Sequence, residues 1–181
     1  MNDQEDLKIA KSVLITEAES ILKAAERFDS TFKKAIDILD VPNCKIIVTG
    51  IGKSGHLGKK ISATLCSTGS PSCFLHPAEA VHGDLGIHQK GDPVIFLSNS
   101  GSTPELLSIA PVLRKRNAQI VGILGKTESK LAEKVDVALD ASVTIEADPL
   151  GIVPTASFAV AASLGDAIAS ALMKRKNFSE N

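Results

Sequence analysis

A glycine-rich segment directly after a short apolar run constrains the fold of this chain more than any other feature. The run Lys45–Thr49 has the β-branched residues of a buried strand, and Gly50-Ile-Gly-Lys-Ser-Gly-His56 follows it. A helical pattern then covers His56–Gly69. Glycines permit positive φ and close approach of a ligand, and the first N–H groups of a helix attract anions. The segment therefore predicts a strand, a turn and a helix, with room for a phosphate at the turn.

Neither of two known phosphate motifs identifies the segment. A Walker loop has four residues between its first glycine and the Gly-Lys pair, whereas only Ile51 separates Gly50 from Gly52-Lys53. Gly50-x-Gly52-x-x-Gly55 has the glycine spacing of a dinucleotide-binding turn, but a single match of this kind is unspecific. This segment alone is compatible with two interpretations, a phosphate site or a plain tight turn.

A second turn favours the phosphate site. The buried strand Asp92–Leu97 runs into Ser98-Asn-Ser-Gly-Ser-Thr-Pro-Glu105, and a helical pattern follows. Capping that helix requires one hydroxyl, whereas residues 98–103 contain four. Hydroxyl and N–H donors at such a turn can surround an anion. The candidate binding residues of the two turns are Gly52, Ser54, Ser98, Asn99, Ser100, Gly101 and Thr103.

Alternating strands and helices predict an α/β fold with a five-stranded parallel sheet between two helical layers, a three-layer αβα sandwich. The predicted strands are Lys45–Thr49, Cys73–Leu75, Val94–Leu97, Ile120–Leu124 and Val135–Leu139. The predicted helices after the first strand are His56–Gly69, Glu105–Arg116, a short one at Leu131–Lys134, and Ser157–Lys176. Ligands of such sheets lie beyond the carboxyl ends of the strands, so the two turns can share one site.

The chain is predicted to be one domain, residues 1–181, with N-terminal helices in 1–40 and an α/β core in 44–176. Apolar residues recur at helical spacing from Asp3 to Leu39, with a possible turn at Phe28-Asp-Ser30. This apolar face exceeds what one small sheet needs. It predicts either contact with another subunit or a helix folded back on its own domain.

Composition excludes several functions. A net charge of -1 argues against a nucleic-acid surface, and no stretch approaches 18 continuous apolar residues. The polar N-terminus does not resemble a signal peptide, so we expect a cytoplasmic protein without membrane contact. Cys44, Cys66 and Cys73 lack the paired spacing of a zinc site and are predicted to be reduced core thiols.

Lys53, Glu105 and Glu146 could isomerise a phosphorylated sugar. Moving a proton between C1 and C2 needs a carboxylate base, which partial burial would favour by raising its pKa, and a group that stabilises the enediolate. Lys53 could neutralise the enediolate or the phosphate, or be a solvated turn cation. Glu105 could instead complement a helix dipole, and Glu146 could be an ordinary solvated acid.

A histidine-rich segment, His76-Pro-Ala-Glu-Ala-Val-His-Gly-Asp84, has two interpretations. Glu79 and His82 are three residues apart and could chelate a metal on a helical turn. A loop held by hydrogen bonds is the simpler interpretation and the one we favour. His82 is predicted to belong to the active site in either case.

Four motifs together resemble the sugar isomerase (SIS) domain of D-arabinose 5-phosphate isomerases. They are Gly50-x-Gly-Lys-Ser-Gly-His56, His76-Pro-x-Glu-Ala-x-His-Gly-Asp-Leu-Gly86, Ser98-Asn-Ser-Gly101 and Asp148-Pro-Leu-Gly-x-x-Pro-Thr155. The resemblance covers nearly the whole chain. It implies the flavodoxin-like SIS fold, interconversion of D-ribulose 5-phosphate and D-arabinose 5-phosphate for Kdo and lipopolysaccharide synthesis, no organic cofactor, and a homotetramer with shared active sites.

The resemblance also implies roles for single residues. Lys53 matches the active-site lysine, Glu105 and Glu146 match the two candidate acid/base carboxylates, and the serines and threonine of the turns match the phosphate cradle. His82 resembles an active-site histidine and is the candidate ligand for the inhibitory zinc of the family. No metal is otherwise expected.

The chain departs from the family pattern after its last helix. Most members continue with a Ser-His-Pro-Gly-Gly tail, which carries a presumed catalytic histidine, and with a pair of CBS domains. Neither is present in these 181 residues, and Asn177–Asn181 resembles the start of the tail, so we expect a longer natural chain. A regulatory module that binds a sugar phosphate without turnover, or an isomerase of another phosphosugar, are the alternative functions.

Overall fold

A parallel five-stranded sheet forms the centre of the molecule in this computed structural model, which describes residues 3–179. The strands are β1 (Ile46–Thr49), β2 (Ser72–Leu75), β3 (Val94–Ser98), β4 (Ile120–Leu124) and β5 (Val137–Asp140). They lie in the order β2-β1-β3-β4-β5. The predicted α/β class and the five parallel strands are confirmed. The outermost residues of the predicted domain, including the last two of Asn177–Asn181, lie outside the described residues.

Six α-helices connect and cover the strands in the described part of the chain. They are α1 (Asp3–Glu26), α2 (Ser30–Leu39), α3 (Lys53–Ser67), α4 (Pro77–Ala80), α5 (Pro104–Lys115) and α6 (Ala156–Arg175). Short 3₁₀ helices lie at Asp84–Ile87 and Ala132–Lys134. The predicted break after α1 is present because Asp29 caps α2, accepting a hydrogen bond from the Thr31 N–H at 2.7 Å.

The sheet is buried on both faces, as the three-layer prediction requires. Successive side chains of β1 point to opposite faces, so Val48 packs with α2, α3 and α6, whereas Ile47 packs with α4 and α5. Every residue of β1, β3 and β4 is buried, which explains their continuous apolar sequences.

Among residues 3–179, α6 is the one helix whose length and apolarity would suffice to cross a membrane. Its residues Val160, Leu164, Ile168 and Leu172 are buried in the core. Packing of this helix between the sheet and other helices therefore accounts for its apolar composition.

The three cysteines are free thiols, and Cys73 packs against the core, but the prediction of a core position is wrong for Cys66. Cys66 is exposed on α3, and Cys44 and Cys73 are only partly buried. Cys66 lies in the last turn of α3 and Cys73 in the edge strand β2, where fewer elements are available to cover them.

Candidate active site

The carboxyl ends of β1 and β3 form the crevice where a ligand is expected. β1 and β3 are neighbours, but the chain leaves β1 toward β2 on one side and leaves β3 toward β4 on the other. This reversal separates the loops after the two strands and opens a crevice between them. Both predicted phosphate turns lie there.

The turn after β1 depends on its glycines. Gly52 has φ 60° and ψ -131°, a conformation that side chains disfavour, and it caps α3 without a side-chain hydrogen bond. A Cβ on Gly50 would lie 3.0 Å from the Ser54 carbonyl oxygen, so the turn is also tight. The helix starts at Lys53, three residues before the prediction, and Lys53 and Ser54 therefore lie in its first turn.

The hydroxyls of the turn after β3, residues 98–103, do not all face a ligand. The buried Ser98 hydroxyl lies 2.8 Å from the Thr103 hydroxyl and accepts a hydrogen bond from the Gly101 N–H at 3.0 Å. Thr103 makes no side-chain cap to α5, so simple capping does not explain this group of hydroxyls. Ser98 thus holds the turn in shape, while Asn99 and Ser100 are exposed.

One open pocket of about 750 Å³ brings most of the predicted site together. The predicted residues that line it are Lys53, Ser54, Asn99, Ser100, Thr103 and Glu146. A smaller cavity of about 40 Å³ adjoins it; Lys53 and Ser54 line both, and Ser98 lines the smaller one. Apolar residues of α3, β3, β4 and α6, such as Leu57, Leu97 and Ile123, form much of the wall of that cavity.

Glu146 is bound to the start of α6. Its carboxylate accepts hydrogen bonds from the Thr155 N–H at 2.9 Å and the Ser157 N–H at 3.1 Å, and from both hydroxyls of these residues. Burial by itself would raise the pKa of Glu146, but the hydrogen bonds from Ser157 and Thr155 outweigh it and lower the pKa below the usual range. The expectation of a raised pKa at Glu146 is therefore wrong.

Four other predicted residues line neither the pocket nor the smaller cavity: Gly52, which shapes the turn after β1, and three more. Glu105 is partly buried in the first turn of α5, next to Thr103, and does not line the described pocket. His82 is exposed between α4 and the following 3₁₀ helix. Gly101, with φ 65°, packs its Cα against the Ser129 side chain rather than facing a ligand.

The histidine-rich segment forms a short helix and a 3₁₀ turn. No group of three His, Cys, Asp or Glu side chains within residues 3–179 is arranged to hold a metal ion. His88, beyond this segment, is buried, and its Nε2 lies 3.0 Å from the Asp92 carbonyl oxygen at the amino end of β3. His88 therefore lies at the amino end of β3, opposite to the end that borders the crevice.

Sequence reasoning missed the part of the pocket that follows β4 and β5. These residues are Gly125, Lys126, Val143, Thr144, Ile145, Gly151 and Pro154; Ile51, in the turn after β1, also lines the pocket. Gly125 and Lys126 had a readable signal, because a Gly-Lys pair after the apolar strand Ile120–Leu124 repeats the pattern of Gly52-Lys53. A Cβ on Gly125 would collide with Asn99, so this glycine allows the two turns to touch.

Comparison with known proteins agrees with this architecture. The family described as the SIS domain matches residues 39–171. Arabinose 5-phosphate isomerase KdsD of Pseudomonas aeruginosa is 44% identical, covering 98% of this chain and 56% of the relative. Arabinose 5-phosphate isomerase GutQ of Salmonella typhi is 41% identical, covering 96% of this chain and 54% of the relative. The chain thus spans about half the length of these curated relatives.

A solved structure covers nearly the same length. The structure of E. coli CFT073 c3406 in complex with arabinose 5-phosphate superposes with a TM-score of 0.94 and is 37% identical, covering 99% of this chain and 96% of the other. The chain therefore shares its whole described fold with a protein that binds this ligand.

Proposed function

The chain belongs to the SIS domain family, and on this premise we propose that it is an aldose–ketose isomerase that interconverts D-ribulose 5-phosphate and D-arabinose 5-phosphate. The observation that carries the proposal is the single pocket that joins Lys53 and Ser54 of one turn, Asn99 and Ser100 of the other, and the Glu146 carboxylate. A phosphate held by the turns would leave the sugar carbons beside a carboxylate.

The proposed reaction passes through an enediolate. A carboxylate removes the proton from the carbon next to the carbonyl and returns it to the former carbonyl carbon, and the hydroxyl proton passes from one oxygen to the other. Lys53 stabilises the negative oxygen of the enediolate. Of the two candidate carboxylates, Glu146 lines the pocket, so we assign proton transfer to it. Its lowered pKa keeps it ionised at neutral pH, as a base must be, although its hydrogen bonds also reduce its basicity.

The test is incubation of the protein with D-arabinose 5-phosphate, with D-ribulose 5-phosphate formation followed over time. Conversion that disappears in Lys53→Ala, and that is absent with unphosphorylated D-arabinose, would support the proposal. Glu146→Gln should lower kcat far more than it weakens substrate binding. If the folded protein binds the sugar phosphate but does not convert it, that result would contradict the isomerase assignment.

The state of Glu146 favours a second candidate, a module that binds a sugar phosphate without turnover. A carboxylate that accepts four hydrogen bonds serves structure well and proton transfer poorly. This alternative predicts a rise in melting temperature with D-arabinose 5-phosphate and no product.

The remaining proposals concern the biological setting. We place the reaction in the cytoplasm, without an organic cofactor, supplying Kdo for lipopolysaccharide. We also propose a homotetramer with shared active sites, supported by the exposed Leu7, Leu14 and Leu22 of α1. If active sites are shared between subunits, Glu105 and His82 would act in the pocket of a neighbouring subunit. His82 would bind the inhibitory zinc there.

A further inference from the structure

The pocket contains a second lysine, Lys126, that the proposed reaction does not use. Lys53 and Lys126 both line the pocket, and neither forms an ion pair with any residue between 3 and 179. The pocket's carboxylate, Glu146, is occupied by Thr155 and Ser157. We propose that Lys126 binds the phosphate group of the substrate, which leaves Lys53 for the reacting end of the sugar; this inference rests on the proposed function.

Backbone contacts fix Lys126 next to the turn after β3. The Gly125 N–H donates a hydrogen bond to the Ser98 carbonyl oxygen at 3.1 Å, and the Leu131 N–H donates one to the Gly101 carbonyl oxygen at 3.0 Å. These two bonds join residues 98–103 to the loop 125–131 on both sides of Lys126. The backbone at Lys126 is therefore fixed beside that turn, from where a lysine side chain is long enough to reach an anion bound there.

The turn after β3 offers hydroxyl and N–H donors but no full positive charge of its own for a phosphate dianion. The Ser98 and Thr103 hydroxyls are hydrogen-bonded to each other, so the exposed polar side chains of the turn are Asn99, Ser100 and Ser102. These groups and the N-terminus of α5 supply dipoles but no full charge. A lysine ammonium is a compact cation that suits phosphate, and Lys126 is exposed and able to approach.

The small adjoining cavity separates the roles of the two lysines. Lys53 lines both this cavity and the open pocket, whereas Lys126 lines the open pocket and not the cavity. The walls of the cavity are largely apolar, and a charge acts more strongly on a developing oxyanion in such surroundings. Lys53 is thus better placed for the enediolate, and Lys126 for a phosphate that stays partly solvated.

The experiment compares Lys126→Gln, Lys126→Arg and the control Lys130→Gln with the unmodified protein. Lys130 is exposed in the same loop but does not line the site pocket. For each protein, kcat and KM are measured with D-arabinose 5-phosphate. Binding of inorganic phosphate is measured separately by calorimetric titration, which gives a result whether or not the protein turns over the sugar.

We expect Lys126→Gln to raise KM and to weaken phosphate binding by roughly ten-fold each, the effect of losing one charge-assisted hydrogen bond. Its kcat should stay within about two-fold, Lys126→Arg should recover most of the affinity, and Lys130→Gln should match the unmodified protein.

Equal behaviour of Lys126→Gln and Lys130→Gln would overturn the inference. So would a loss of kcat at unchanged KM, which would place Lys126 at the reacting carbons. If the unmodified protein binds phosphate but converts no sugar, that result would contradict the proposed function. The calorimetric titrations of the variants with phosphate would then still test the role of Lys126.

Discussion

Glu146 links the stability of α6 to the chemistry of the pocket. Thr155 is the N-cap residue of α6 and Ser157 is the second residue of the helix, and their N–H groups have no partner within the helix. The Glu146 carboxylate satisfies both, so it acts as a cap supplied from outside the helix. The same oxygens border the pocket, where a substrate would compete for them.

Replacing Glu146 by Gln should therefore reduce stability as well as activity. The amide can accept fewer hydrogen bonds and carries no charge, so we expect the free energy of unfolding to fall by about 1 kcal/mol. Urea denaturation measures this effect. Glu105→Gln is the matched control, because no described side chain or N–H bonds to the Glu105 carboxylate, and a change at Glu105 as large as that at Glu146 would contradict the capping role.

The stabilising effect of Glu146 should depend on pH. Folding lowers its pKa, so the contribution is complete above the ordinary pKa of a glutamate, about 4.3, and is lost as pH falls through the lower, folded-state value. The difference in stability between the unmodified protein and Glu146→Gln should accordingly shrink below about pH 4. A difference that grows on acidification would refute this assignment.

At the scale of elements, the turn between β1 and α3 shows why the start of the helix was hard to predict. Gly-Lys-Ser-Gly has no apolar periodicity, yet α3 begins at Lys53 because Gly52 adopts a positive φ that few residues allow. The first turn of α3 thereby directs its open N–H groups into the crevice.

Gly52→Ala tests this turn without adding a clash. A Cβ at Gly52 would meet no atom within 4 Å, so any effect must come from the backbone conformation. We expect a loss of about 1–3 kcal/mol in the free energy of unfolding, together with weaker sugar-phosphate binding. Gly86→Ala is the control, since Gly86 has equal space and no positive φ, and its stability should change by less than about 0.5 kcal/mol. Equal stability of the two variants would mean that the turn relaxes without strain.

The fold was predictable from sequence wherever burial was complete. β3 and β4 are buried at every residue, and their apolar runs placed them to within a residue. β5, at the sheet edge, is only half buried, and its prediction began two residues early. The Gly125-Lys126 pair was visible in the sequence, but its place in the site was not, because local sequence does not reveal that β4 lies beside β3 and so brings Lys126 to the phosphate turn.

At the scale of the whole molecule, α1 leaves an apolar stripe uncovered. Leu7 and Leu14, and likewise Ile15 and Leu22, are seven residues apart and 57–67% exposed. This heptad spacing is typical of helices that pair with other helices. Helix α1 packs against α6, but Ala24 is its one buried residue among those described, so this contact within the domain leaves the stripe free for another subunit.

Leu14→Glu should therefore disrupt assembly. A buried charge without a partner at a helix interface is costly, so the oligomer should dissociate to smaller species in analytical ultracentrifugation. Ser12→Glu, at an exposed position of α1 outside the stripe, should leave the sedimentation pattern unchanged. Monomeric sedimentation of the unmodified protein would remove the proposed subunit contact.

A crystal structure of the protein with D-arabinose 5-phosphate tests the account most directly. We predict phosphate oxygens within about 3 Å of the Ser100 side chain and the first N–H groups of α3 or α5, with C1 and C2 of the sugar directed toward Glu146. A sugar phosphate bound outside this crevice, or one whose C1 and C2 point away from Glu146 and Lys53, would contradict it.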